Sequence, residues 1–99
     1  MRLTDDETRI IRDAVRRRFG SDARVWLFGS RTDDKRRGGD IDLLVETSGP
    51  LENPFRESIG LETDLQIELG DQKIDILLAQ PNVPSTAMQR IARNSGIEL

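Results

Sequence analysis

Hydrophobic residues recur along the chain with two different periods, and this predicts an alternation of helices and strands. Over residues 4–19 they return every three or four positions, which is typical of an amphipathic helix. Thr4 and Glu7 have the spacing of a capping box, and Gly20 is a typical helix terminator. The buried stripe of this helix is predicted to consist of Ile10, Ile11, Ala14, Val15 and Phe19.

Three short apolar runs, over residues 24–28, 40–46 and 73–79, predict β-strands. In the second run, side chains alternate, so that Ile41, Leu43 and Val45 share one face. Asp40, Asp42 and Leu44 then share the other face. In the third run Asp75 interrupts an otherwise apolar sequence, so we expect a buried strand that carries one carboxylate.

Two further helices are predicted over residues 55–69 and from residue 86 to about residue 94. In the first of them we expect Phe55, Ile59 and Leu65 or Leu69 to face inward, although Gly60 weakens the helical pattern. No repeat or second apolar unit is present. We therefore expect one α+β domain over residues 1–99, with helices packed against a small mixed β-sheet.

Composition narrows the chemistry that this chain can perform. It has no cysteine and no histidine, which excludes thiol catalysis and removes the commonest general base. Carboxylates remain, and they favour hard cations such as Mg²⁺. A net charge of −3 makes nucleic acid an unfavourable partner. No long apolar run or signal-like start is present, so we expect a cytoplasmic protein without membrane contact.

Three aspartates form the candidate site. Asp40 and Asp42 lie on one face of the same predicted strand, with Cα atoms roughly 6.6 Å apart. Such a pair is able to bridge two divalent ions. If Asp75 lies nearby, the three carboxylates would repel one another unless a cation lay between them. The alternatives are a solvated strand face for Asp40 and Asp42, and an ion pair with an arginine for Asp75.

A glycine and a serine directly follow the first predicted strand. Gly29 allows backbone N–H groups to approach an anion closely, and the Ser30 hydroxyl adds a donor, so the pair is a candidate phosphate cradle. An isolated Gly-Ser is more often an ordinary turn. The loop from this pair to the aspartates carries four basic residues against two acidic ones. Its arginines are either solvated or able to clamp phosphate oxygens; they are Arg31, Arg36 and Arg37.

These motifs together resemble those of the nucleotidyltransferase superfamily that includes DNA polymerase beta. The matching sequence is Phe28-Gly29-Ser30, nine residues, then Asp40-Ile41-Asp42-Leu43, with the third carboxylate at Asp75. The small size and the sequence Leu27-Phe28-Gly29-Ser30-Arg31 are similar to the minimal nucleotidyltransferases (MNT) of bacteria and archaea. The resemblance implies a polymerase beta-like nucleotidyltransferase fold.

The resemblance also implies a role for each site residue. Gly29 and Ser30 would bind the triphosphate of ATP or another nucleotide, assisted by the loop arginines. Asp40, Asp42 and Asp75 would bind two Mg²⁺ ions, with Mn²⁺ as an alternative, and Asp75 would help to activate the attacking hydroxyl. Many minimal members carry a second arginine shortly after the one matching Arg31. Here Thr32-Asp33-Asp34 intervenes, and Arg36 or Arg37 would take that role.

Members of this group are commonly encoded beside a small helical HEPN protein, with which they act as antitoxin and toxin. The resemblance therefore implies transfer of AMP from ATP to a hydroxyl of a HEPN-type partner, and a homo- or hetero-oligomer. This chain contains no tyrosine, so a tyrosine acceptor would belong to another protein. The alternative is a non-catalytic binding module that neutralises or supports a helical partner. Transfer to nucleic acid or to a small molecule is a weaker alternative.

Overall fold

The computed structural model describes residues 3–29 and 40–99. Within these ranges the chain forms three helices and four strands, and the predicted α+β fold is confirmed. No helix there combines the length and the apolar character needed to cross a bilayer. The elements in chain order are α1 (Asp5–Phe19), β1 (Arg24–Phe28), β2 (Ile41–Glu46), α2 (Pro54–Leu69), β3 (Ile74–Ala79), α3 (Ala87–Ser95) and β4 (Ile97–Glu98).

The four strands form one mixed sheet in the order β3-β2-β1-β4. β1 is antiparallel to both of its neighbours, whereas β2 and β3 are parallel. β4 was not predicted, because two residues are too few for a period to be recognised. It is joined to β1 by a hydrogen bond from the Leu99 N–H to the Val25 carbonyl, 2.9 Å long. Arg24 and Glu98 add an ion pair of 2.8 Å across the same two strands.

The two faces of the sheet are covered unequally. One face packs against α1 and α2 and holds the larger core, while α3 packs on the other face around a smaller cluster. The apolar residues of the strands divide between these faces as their alternation predicts. The buried residues of the larger core are Ile11, Ala14, Val15, Val25, Leu27, Ile41, Leu43, Val45, Leu61, Leu65 and Ile74, and those of the smaller cluster are Trp26, Leu44, Ala79 and Ala92.

The predicted inward face of α2 is confirmed at Leu65 and wrong at Phe55 and Ile59. Phe55 is 75% exposed and Ile59 is 46% exposed, whereas Leu61 and Leu65 are fully buried. Apolar residues occur on several sides of this helix, so its period did not determine which side faces the core. The contact with α1 determines it instead.

Gly60 lies at this contact between α1 and α2. A side chain at that position would overlap the guanidinium of Arg18. This guanidinium forms ion pairs with Glu57 at 3.1 Å and with Asp64 at 2.9 Å. A glycine that weakened the helical pattern in the sequence therefore has a packing role between the two helices.

The third predicted strand was expected to be buried, and this expectation is wrong at Asp75. β3 is an edge strand, with β2 as its one neighbour among the described residues, and Asp75 is exposed. An apolar run of this length occurs both in central strands and in edge strands that are covered on one face.

The helix caps, by contrast, follow the sequence closely. α1 begins with the predicted capping box of Thr4 and Glu7, and α3 begins with that of Thr86 and Gln89.

Two helical isoleucines provide a matched test of this packing. Ile11 in α1 is fully buried, and Ile67 in α2 is 78% exposed. We expect Ile11→Ala to lower the free energy of unfolding by about 2–5 kcal/mol, because it leaves a cavity in the larger core. Ile67→Ala should change it by less than about 0.5 kcal/mol. Urea unfolding followed by circular dichroism measures both values, and equal losses would contradict the described core.

Candidate active site

The pairing of β2 with β3 brings two of the predicted site residues together. The strands run parallel with Asp42 directly opposite Asp75, so both side chains project from the same face of the sheet. The two carboxyl groups lie within hydrogen-bonding reach, and a protonated Asp42 is able to donate to Asp75. Residues 33 positions apart in the sequence thus become neighbours.

Asp40 lies next to this pair, one residue before β2 begins. The N–H of Ile41 donates to the carbonyl of Lys73 over 3.0 Å, which aligns the entrance of β2 with the entrance of β3. As a result the Asp40 carboxylate lies 3.6 Å from the Lys73 ammonium, measured from Oδ2 to Nζ. The three predicted carboxylates therefore lie at one end of the sheet, together with a lysine that the sequence analysis did not identify.

The electrostatics of the cluster are most evident at Asp42. Its partial burial raises the pKa of this carboxyl group above its usual value, and the negative charges of Asp75 and Asp40 raise it further. Lys73 acts in the opposite direction and lowers it. The ionised form of Asp42 is therefore disfavoured in the protein alone, and a cation placed between the carboxylates would favour it.

Gly29 approaches the same carboxylate from the end of β1. Its φ of +77° is accessible to glycine at little cost, and an added Cβ would overlap the Asp42 carboxylate. Phe28, the preceding residue, is paired with Asp42 in the antiparallel register. The predicted glycine thus lies against the predicted aspartate. Four other predicted nucleotide-binding residues lie outside the described residues, and their roles stay predictions; they are Ser30, Arg31, Arg36 and Arg37.

An apolar support lies directly behind the carboxylates. Leu44, two residues after Asp42 on the same face, is completely buried in the smaller cluster. At the end of α3, Gly96 lies so close to the carbonyls of Ala92 and Leu27 that a Cβ there would overlap them, and it would also contact Phe28. The sequence analysis recognised Gly96 only as a helix terminator. Lys73 had one detectable signal, since it precedes Asp75 by two residues and so shares its face.

The donor set fits a hard divalent cation. Carboxylate oxygens are the ligands that Mg²⁺ and Mn²⁺ prefer, and Asp42 and Asp75 already adjoin each other. Within residues 3–29 and 40–99, however, no three acidic residues are close enough together to hold an ion. The third carboxylate, Asp40, lies beside Lys73. Binding of an ion by all three would therefore require Asp40 to exchange its partner.

Comparison with known proteins agrees with this arrangement. Proteins of curated function give no significant match. A solved structure of the toxin–antitoxin MntA–HpeT, in a mutant form, is similar to this chain with a TM-score of 0.63 and 23% sequence identity. The similarity covers 97% of this chain and 71% of that chain, and it shows a shared fold. The nucleotidyltransferase-type fold expected from the sequence is thereby confirmed.

A protein-family model, that of the nucleotidyltransferase domain, matches residues 8–96. This range contains the Gly29 turn and all three aspartates of the candidate site. Because the match spans most of the sequence, the chain belongs to the nucleotidyltransferase domain family.

Proposed function

We propose that this protein transfers AMP from ATP to a hydroxyl group of a partner protein, in a reaction that depends on divalent metal ions. The observation that carries the proposal is the register of β2 and β3, which sets Asp42 beside Asp75 at the open end of the sheet. Two carboxylates with a third one nearby form a ligand set for Mg²⁺ or Mn²⁺. Membership of the nucleotidyltransferase family supports the same reaction class.

In this proposal each of the three aspartates has a defined role. Asp40 and Asp42 would hold two ions, and Asp75 would hold one of them and accept the proton of the acceptor hydroxyl. The hydroxyl oxygen forms a bond to the α-phosphorus of ATP while the bond from that phosphorus to the bridging oxygen breaks, and pyrophosphate leaves. The ions would neutralise the triphosphate and the leaving pyrophosphate. Asp75 is exposed on an edge strand, which agrees with an acceptor that arrives from another molecule.

We infer a HEPN-type helical protein as this partner and an antitoxin role in the cytoplasm. The similar solved structure is a toxin–antitoxin. Its mutant form carries two aspartate-to-glutamate substitutions with one residue between them, which is also the spacing of Asp40 and Asp42. The absence of tyrosine from this chain means that a tyrosine acceptor has to come from the partner. A complex of the two chains follows from this proposal.

ATP binding should depend on Mg²⁺ or Mn²⁺. Without a cation the triphosphate would meet three carboxylates, and like charges at this distance oppose binding. We expect isothermal titration calorimetry to detect ATP binding with Mg²⁺ and to detect at least about tenfold weaker binding in EDTA. Equal affinities under the two conditions would contradict the two-metal proposal.

Asp42→Asn should abolish AMP transfer without unfolding the protein. The substitution is nearly isosteric and removes a charge that burial and two neighbouring carboxylates disfavour. In EDTA the melting temperature should therefore equal or exceed that of the wild type. Transfer is measured as label from [α-³²P]ATP on a co-expressed HEPN-type partner. Asp22→Asn, which changes an exposed aspartate just before β1, at the opposite end of that strand from Gly29, is the control and should keep wild-type labelling.

Three results of this experiment discriminate between the proposals. Wild-type labelling by Asp42→Asn would show that Asp42 is not a metal ligand in catalysis. Loss of labelling with full neutralisation of the partner would favour the binding module. Loss of both, while the complex still forms, would support the enzymatic mechanism.

Gly29→Ala should disrupt the site through Asp42. The added methyl group would overlap the Asp42 carboxylate, and the φ of +77° is strained for alanine. We expect transfer to fall by about 10²-fold or more, since displacements of roughly 1 Å have effects of this size. Gly49→Ala is the matched control, because a Cβ there meets nothing within 4 Å. If both variants label the partner at the same rate, close packing of Gly29 on Asp42 is not needed for catalysis.

A further inference from the structure

We propose that Lys73 is an exchangeable counter-ion of the candidate site: it holds Asp40 while no metal is bound and moves to the nucleotide phosphates when a divalent ion takes its place. The inference rests on the proposed metal-dependent function and adds a residue to it. It predicts that metal and nucleotide bind cooperatively.

The first support is the position of the lysine. The hydrogen bond from the Ile41 N–H fixes the Lys73 backbone at the entrance of the site, and Lys73 precedes Asp75 by two positions, which places both on the same face. Its ammonium lies 3.6 Å from the Asp40 carboxylate. Lys73 is therefore anchored by its backbone while its charge reaches one of the three carboxylates.

The second support is the freedom of its side chain. The Lys73 side chain is 70% exposed, and that of Asp40 is 43% exposed. Ion pairs with this exposure are weak, because water screens the charges and both side chains lose rotamer freedom in the pair. The four-carbon stem of lysine permits the ammonium to swing away without any change in the backbone. The contact can thus be broken at low cost.

The third support is the electrostatic balance of the cluster. Asp42 and Asp75 are directly opposite each other in the parallel register, Asp40 precedes β2 at the same end, and the Lys73 ammonium, 3.6 Å from Asp40, compensates part of this negative charge. A divalent ion bound between these carboxylates would supply the same compensation more strongly. Lysine and metal therefore compete for one negative site.

The competition has a direction that can be measured. When the metal binds without nucleotide, Lys73 competes with it for the carboxylates and so weakens metal binding. For the metal with ATP, the triphosphate adds negative charge, and in this proposal the displaced ammonium, which is anchored at the same end of the sheet as the carboxylates, pairs with it. Since coupling between two ligands is reciprocal, ATP should strengthen metal binding to the same degree that metal strengthens ATP binding.

The test compares Lys73→Met, Lys73→Arg and the wild type by titration calorimetry, first with Mn²⁺ alone and then with ATP in saturating Mn²⁺. Lys73→Met removes the charge and keeps the chain length. We expect this variant to bind Mn²⁺ about two- to fivefold more tightly than the wild type, because the effect should match the strength of one exposed ion pair. In saturating Mn²⁺ it should bind ATP more weakly. Lys73→Arg should resemble the wild type in both titrations.

Two controls separate this effect from others. Arg56→Met removes one positive charge from the exposed surface of α2, which packs on the opposite face of the sheet, and should leave the Mn²⁺ affinity unchanged. Thermal unfolding in EDTA checks that each variant is folded. A purely structural role for Lys73 would lower stability without raising the affinity for Mn²⁺.

The outcomes also distinguish this inference from the proposed function. If Lys73→Met binds Mn²⁺ no more tightly than Arg56→Met, Lys73 is not the competing cation, while the metal site itself stands. If Asp42→Asn binds Mn²⁺ as well as the wild type does, or the wild type does not bind it, the metal proposal fails first. Tighter Mn²⁺ binding together with weaker ATP binding supports the exchange.

Discussion

The parallel register of β2 and β3 is the constraint on which the candidate site depends. On the face that packs against α1 and α2, it pairs Ile41 with Ile74, Leu43 with Ile76 and Val45 with Leu78. A slip of one residue would turn this entire apolar row toward the other face, so the core fixes the register. The same register sets Asp42 beside Asp75 on the opposite face. Hydrophobic packing thereby enforces a carboxylate pair that would otherwise separate.

This arrangement has an electrostatic cost that folding alone does not explain. Burial and the two neighbouring carboxylates, Asp75 on the adjacent strand and Asp40, all raise the pKa of Asp42 and so oppose its ionised form. Local rules that favour stability are broken most often at functional sites, where a ligand restores the balance. Lys73, an exposed lysine, compensates part of this charge, which is consistent with a site that is completed by a metal ion.

Much of this structure could be predicted from the sequence, for reasons that individual elements make plain. The boundaries of β1, the two capping boxes and the alternation in β2 follow from local chemistry, and they were sufficient to predict the strand that carries Asp42. The orientation of α2 could not be predicted, because it depends on packing against α1. The exposure of Asp75 depends on strand order, which periodicity does not reveal. Lys73 became relevant only through pairing between strands that are distant in sequence.

Access to the site follows from the unequal cover of the sheet. α1 and α2 occupy one face, and α3 covers Trp26 and Leu44 on the other, beside the end that carries the carboxylates. β4 pairs with β1 and forms one edge of the sheet. β3, which carries Asp75, forms the opposite edge. A second molecule that reaches Asp75 from this edge does not need to displace either core. Leu44, two residues after Asp42 on the same face of β2, is fully buried, so the strand is anchored in the smaller cluster directly behind the carboxylates while Asp75 is exposed at the edge.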